Sequence, residues 1–207
     1  MTTALAQELA VYPDLLYRYT VDQYHRMIAN GMIEEGAPFE LLDGQVVRKI
    51  RGGTDNPMTI NPQHATAVTR LIELNENLKL LGCYLRGQSP ISIPPDDEPE
   101  PDGAIVRGTT EDYAEHHPGP ADVLCIIEVA DASLSRDRGY KQKLYANSGI
   151  ETYLIVNLVD QVVEVYTQPM KGKGRYAQVA TLTAKQTLAI PAASGKALSV
   201  PVKRLLV

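Results

Sequence analysis

Tryptophan is missing from this 207-residue chain and phenylalanine occurs once, which leaves little from which to build an aromatic sugar-binding cleft. Glycoside hydrolysis by paired carboxylates is therefore set aside. Cysteine is almost as scarce: Cys83 and Cys125 both lie in apolar stretches, and two thiols are too few for a disulfide framework. They read as reduced core residues of a cytoplasmic protein. No window approaches the roughly eighteen apolar residues of a membrane-crossing helix, the longest aliphatic run being Val123 to Ile127, so no span is expected. The start of the chain, MTTALAQELAVYPDLL, has no basic stretch, carries Glu8 and Asp14, and lacks a small-residue cleavage pattern, which argues against secretion. Positive charge is not in excess either: 20 Lys plus Arg against 25 Asp plus Glu give −5. That balance speaks against a constitutive nucleic-acid coat protein and leaves room for a local basic groove.

With repeats and low-complexity tracts also missing, what remains is a globular composition, 44% hydrophobic and 22% charged. The length suits one domain with additions, read as an N-terminal extension over 1–16 and a single domain over 17–207. Thr20 precedes VDQYHRMIANG, in which Val21, Tyr24, Met27 and Ile28 share one helical face and Gly31 stops the helix. Phe39 to Leu42 and Gln45 to Val47 flank Asp43-Gly44, a dipeptide suited to the positive φ angles of a two-residue hairpin. Asn61 and Pro62 open a segment in which Ala67, Leu71, Leu74, Leu78 and Leu81 recur at helical spacing, predicting one long helix up to Gly82.

Short strands are expected at Cys83–Arg86, Ser89–Ile93 and Gly103–Val106, the last two separated by the acidic, Pro-rich loop 94–101. Val123 to Val129 is nearly continuous in apolar character, as in a central strand covered on both faces. Asp137 to Ser148 reads as a helix ended by Gly149, followed by strands at Glu151–Asn157 and Gln161–Thr167. The tail, with Pro191 and Pro201, predicts edge strands. This order gives an α/β (α+β) fold, a mixed β-sheet flanked by helices, preceded by a helix and a β-hairpin.

Glu128 interrupts the apolar strand, and a buried carboxylate is costly unless a cation compensates it. The preceding strand starts at Asp102, so two neighbouring strands can bring Asp102 and Glu128 to one end of the sheet. Two carboxylates with a backbone carbonyl such as that of Val129 suit a hard cation, Mg²⁺ or Mn²⁺; no Cys or His pair has zinc-ligand spacing. On periodicity alone, Glu128 at an exposed strand end and Asp102 in a solvated loop remains an open alternative. Asp137, Lys141 and Tyr145 follow at i, i+4 and i+8, which puts a lysine within reach of the same place. Near a phosphate its ammonium would stabilise charge that develops in transfer; a surface Asp137–Lys141 pair fits the same spacing.

The series FELLDG (39–44), EPDGAIV (100–106), IIEVADAS (126–133), DRGYKQKLY (137–145) and GIETYLIVN (149–157) resembles the Uma-two family, within the PD-(D/E)XK nuclease superfamily, over about residues 17–170. The resemblance implies a restriction-endonuclease-like core and a Mg-dependent endonuclease acting on DNA. It implies Asp102 and Glu128 as metal-binding acids, Lys141 as the catalytic lysine displaced onto the helix because Ala130 holds its usual position, and Glu40 as an early acid of the site. Asp137, Tyr145 and His64 match positions of supporting role. EVADAS in place of the commoner E-V-L-S-P-S, and Asn157 where an aspartate is usual, are departures.

Basic residues that could contact phosphates fall at Arg48, Lys49 and Arg51, at Arg136, Arg138, Lys141 and Lys143, and at Lys171, Lys173 and Arg175, the last three in a turn that also reads as a mobile hairpin tip. Two functions are carried forward: a metal-dependent endodeoxyribonuclease, for which a homodimer suits cleavage of two antiparallel strands, and a nuclease-fold binding or regulatory module with little catalysis.

Overall fold

In the computed structural model, which describes residues 15–49, 61–193 and 195–207, the chain divides into two compact units: Met1–Lys49 with Ile93–Pro99, and Ile50–Ser92 with Glu100–Val207. The extension over 1–16, apart from its last two residues, and Arg51 lie outside the described residues.

The smaller unit is built from α1 (Val21–Ala29) and a hairpin of β1 (Phe39–Leu42) and β2 (Gln45–Arg48). Thr20 caps α1: its hydroxyl accepts from Gln23 N, and Thr20 N donates to Gln23 Oε1 at 2.9 Å, so two amides that the helix cannot satisfy are paired. Asp43 and Gly44 take φ of 52° and 69°, as a tight hairpin requires. A side chain at Gly44 would also meet the Arg18 backbone, with Cα at 2.8 Å. The Pro-rich segment lies along this hairpin through bonds between Leu41 and Glu98 backbones and from Gly44 N to Asp96 O. Val21, Tyr24, Ile33 and Leu41 form the unit's own small core.

The larger unit contains a six-stranded sheet in the order β3 (Cys83–Gly87), β4 (Gly103–Arg107), β5 (Val123–Ala130), β6 (Thr152–Asn157), β7 (Val162–Met170) and β8 (Arg175–Thr183). All neighbours are antiparallel except β5 and β6. A parallel pair needs a long crossover, and here it is helical. The crossover runs from α4 (Leu134–Arg136) through a π-helical segment (Asp137–Lys141) into α5 (Gln142–Ser148), and ends on Gly149 at φ 81°. All eight residues of β5 and all six of β6 are buried, as the apolar run predicts.

The long helix expected up to Gly82 is two helices, α2 (Pro62–Ile72) and α3 (Asn75–Lys79). The break has a local cause. Asn75 turns its amide onto β3, accepting from Leu85 N at 2.6 Å and donating to Leu85 O at 3.1 Å, which closes part of an open sheet edge. Leu71, Leu74 and Leu78 nevertheless stay on one buried side, each contributing roughly 1.5–3 kcal/mol by removal from water. No strand forms at Ser89–Ile93: Pro90 has no amide to donate, and Ser92 N bonds Pro118 O at 3.0 Å instead. The tail strands do not edge the main sheet. β9 (Thr187–Pro191) and β10 (Ala197–Pro201) form their own hairpin, whose Leu188, Ile190 and Val200 join the core with the α2–α3 leucines. β8 was not foreseen, because its central residues are exposed on both faces and show no alternation. The Lys171–Arg175 turn is tethered: Gly172 N and Gly174 N both donate to Asn147 Oδ1, at 3.1 and 2.9 Å.

Candidate active site

β4 and β5 pair with Gly103 opposite Ile127, so the next step of the register sets Asp102 across from Glu128. Residues facing each other in this way have Cα atoms about 4.5–5.5 Å apart. Both acids are sunk in the protein, Asp102 at 6% and Glu128 at 3% exposure, rather than in a solvated loop or at an open strand end. Asp102 is oriented from three sides. Its Oδ2 accepts from Val129 N at 2.9 Å and lies 3.1 Å from His64 Nε2, while Gln88 Nε2 reaches Oδ1 at 3.4 Å. His64 comes from the first turn of α2, which Asn61 fixes twice: its side-chain oxygen accepts from Gln63 N at 2.9 Å and its amide donates to Asp131 Oδ2 at 2.6 Å. The Asp131 of the unusual EVADAS stretch thus ties the helix that carries His64 to the end of β5.

Glu128 receives two donors on one oxygen. Lys141 Nζ stands 2.8 Å from Oε1 and the Tyr145 hydroxyl 3.0 Å from it. Lys141 is 1% exposed, so this is a buried ion pair and not a surface contact. Burial pushes the Glu128 carboxyl up, and the neighbouring Asp137 and Asp102 push it the same way, while the Lys141 charge and hydrogen bond pull it down; the net direction is upward. Asp137 is also raised, first by burial, against the opposing pull of Lys141, the Ser133 hydrogen bond and Arg136. Three carboxyl groups and one ammonium therefore act on one another within one buried cluster.

The donor types gathered here are those a hard divalent cation takes. Within a strand, the N–H and C=O of one residue point to the same edge, so the Val129 carbonyl faces the side on which its N–H meets Asp102. Asp102, Glu128 and the Val129 carbonyl thereby offer oxygen donors from one corner of the sheet, the donor type that Mg²⁺ and Mn²⁺ prefer.

Of the residues singled out from the sequence, Asp102, Glu128, Val129, Asp137, Lys141, Tyr145 and His64 all belong to this cluster in the larger unit. Glu40 lies on β1 of the smaller unit, 1% exposed and opposite Val47 in the hairpin. Two of the basic residues expected at phosphates are otherwise placed: Arg138 is bound to Glu164, with Nη2 to Oε1 at 2.6 Å, and Lys49 is buried at 6% exposure. Gln88, Ser133, Asn61 and Asp131 were not foreseen as parts of the site; Asn61 was visible only as a helix cap.

Residues 21–203 match the Uma2 family, described as "Putative restriction endonuclease". A solved structure of a "putative nuclease belonging to DUF820" from Anabaena variabilis superposes with a TM-score of 0.63 at 14% identity, covering 90% of this chain and 96% of that one. At that identity the likeness speaks for the fold, a nuclease-like mixed sheet flanked by helices. No curated protein matches. No helix among the described residues is long and apolar enough to cross a membrane. With a match spanning nearly its whole length and a fold to go with it, the chain belongs to the Uma2 family, the Uma-two group that its motifs resemble.

Proposed function

We propose that the protein is a Mg²⁺- or Mn²⁺-dependent endonuclease of the PD-(D/E)XK type that hydrolyses phosphodiester bonds in DNA. One observation carries the reading: two buried carboxylates, Asp102 and Glu128, face each other at the end of adjacent strands, with a buried lysine 2.8 Å from the second. In this reading each side chain has a task. Asp102 and Glu128, with the Val129 carbonyl, would hold the cation. His64 and the Val129 amide fix the orientation of Asp102, and Tyr145 does the same for Glu128. A bound divalent ion lowers the pKa of a water and screens the phosphate's charge.

Lys141 adds a fixed positive charge. In the resting protein it offsets Glu128; with DNA bound it stabilises the charge that builds on the phosphate as the bond to the leaving oxygen breaks. Arg136, half-buried next to Asp137, supplies a further cation for a backbone phosphate beside the site. Glu40, the family's early acid, is assigned no step.

Plasmid nicking tests the proposal, with wild type and the Asp102→Ala, Glu128→Ala and Lys141→Ala variants in Mg²⁺, Mn²⁺ or EDTA. Metal-dependent cleavage lost in all three variants is the expected result. Cleavage that persists in all of them removes this site from the mechanism. A wild type that binds Mn²⁺ but leaves DNA intact favours a binding or regulatory module.

A further inference from the structure

Lys141 reaches Glu128 from an unusual piece of backbone. Asp137–Lys141 winds as a π-helix, in which the Gln142 N–H returns to Asp137 O, five residues back. Such turns are rare, and they occur mostly as single insertions at functional sites. Inserting one residue rotates everything after it relative to an α-helix, so the pitch of this turn decides where the Lys141 stem begins. A turn that the backbone does not favour has to be held from outside.

Two groups from the sheet hold it. The Tyr153 hydroxyl, from β6, donates to Asp137 O at 3.1 Å. From β7, Glu164 closes on Arg138: Nε lies 3.1 Å from each carboxylate oxygen and Nη2 2.6 Å from Oε1. Glu164 is itself 4% exposed and fixed by Asn157 Nδ2 at 2.8 Å and the Tyr166 hydroxyl at 2.6 Å. Asn157 also accepts from Val159 N and Asp160 N, and Asp160 takes a further bond from Arg138 at 3.3 Å. The amide in place of the family's usual aspartate is thus useful here: its Nδ2 donates to two carboxylates, which an aspartate could not do.

We propose that Glu164, acting through Arg138, is a positioning residue for Lys141: the fork between them sets the pitch of the π turn and so places the lysine ammonium on Glu128. This rests on the nuclease reading of Glu128 and Lys141. It also makes Arg138 a structural clamp, whereas its exposed position in the sequence would suggest a phosphate contact.

The test uses full-length Glu164→Gln and Arg138→Met, with Arg138→Lys as a milder variant that keeps the charge and loses the fork. The spectroscopic readout is the ¹H–¹⁵N ammonium signal of Lys141, assigned by its loss in Lys141→Met and recorded at low temperature without DNA or metal. It should be visible in the wild type and lost in Glu164→Gln and Arg138→Met. In plasmid cleavage, kcat should fall about 10–100-fold with KM unchanged, as for a misplacement of about 1 Å. The double variant should be no worse than either single one. A retained Lys141 signal overturns the proposal. So does a raised KM with a salt dependence of DNA binding reduced by about one charge, which would make Arg138 a phosphate contact. If the wild type does not cleave DNA, the nuclease reading fails, while the ammonium signal still decides the positioning role.

Discussion

Replacing Lys141 by methionine keeps the length of the side chain and removes the cation 2.8 Å from Glu128. At that separation the gross attraction is about 6 kcal/mol for an effective dielectric near 20, and breaking a buried pair from one side costs about 3–5 kcal/mol net. The cost depends on pH, because Glu128 can take up a proton once the lysine is gone. Its folded-state pKa is already raised by burial and by Asp137 and Asp102, and losing Lys141 raises it further. For a carboxyl raised on folding, the folded protein binds the extra proton, so stability is fully present below the unfolded value, about 4.5, and is lost as pH rises toward the folded value. Between pH 5 and pH 8 this amounts to at most about 4 kcal/mol for one group, of which the wild type shares a part. An added loss of roughly 2–3 kcal/mol at pH 8 corresponds to a Tm lower by about 5–10 °C, with little difference at pH 5. Mn²⁺ should restore it, since an ion at about 100 times its Kd contributes roughly 2.7 kcal/mol and replaces the missing charge. Differential scanning calorimetry at the two pH values, with and without Mn²⁺, measures each effect. A Tm loss of equal size at both pH values and indifferent to Mn²⁺ would refute the reasoning, because Lys141 would then matter only as packing.

His64→Ala should lower Mn²⁺ affinity about 10–100-fold with the fold intact, since the histidine orients Asp102; calorimetric titration reads this, and an unchanged affinity removes its supporting role. Tyr145→Phe takes one charge-assisted hydrogen bond from Glu128 and should reduce stability in metal-free buffer by about 1.5–3 kcal/mol, measured by denaturant unfolding. Asn61→Ala should cost about 1 kcal/mol for the α2 cap and more if the bond to Asp131 is also needed; Asp131→Ala in a double-mutant cycle separates the two.

Local signals in the chain marked the framework well. Thr20 before an amphipathic segment, Asp43-Gly44 between apolar runs and the unbroken Val123–Val129 stretch each correspond to a rule that acts within a few residues, and each appears as read. Glu128 stood out because it broke one of those rules. Contacts made across the chain were not visible. His64 meets Asp102 across 38 positions, and the Asn75 side chain, at the start of α3, pairs with the Leu85 backbone, a choice that depends on where β3 runs. The spacing of Asp137, Lys141 and Tyr145 suited an α-helix, and nothing within those residues announces a π turn; its restraints sit on β6, 16 positions from Asp137, and on β7, 26 positions from Arg138. β8 was missed for a related reason, since a strand wet on both faces has no pattern to read.

The single parallel pairing in the main sheet also bears on how the molecule assembles. β5 cannot be joined to β6 until the chain between them has crossed the sheet, and that crossing segment carries Asp137, Lys141 and Tyr145. Hairpins such as β7–β8 close short loops and can form early, whereas this connection carries a larger entropic penalty before any contact rewards it. The carboxylates would thus come together before their counter-charge arrives, so refolding under conditions that leave them ionised should be slowed, and divalent ions added during refolding should speed the final step.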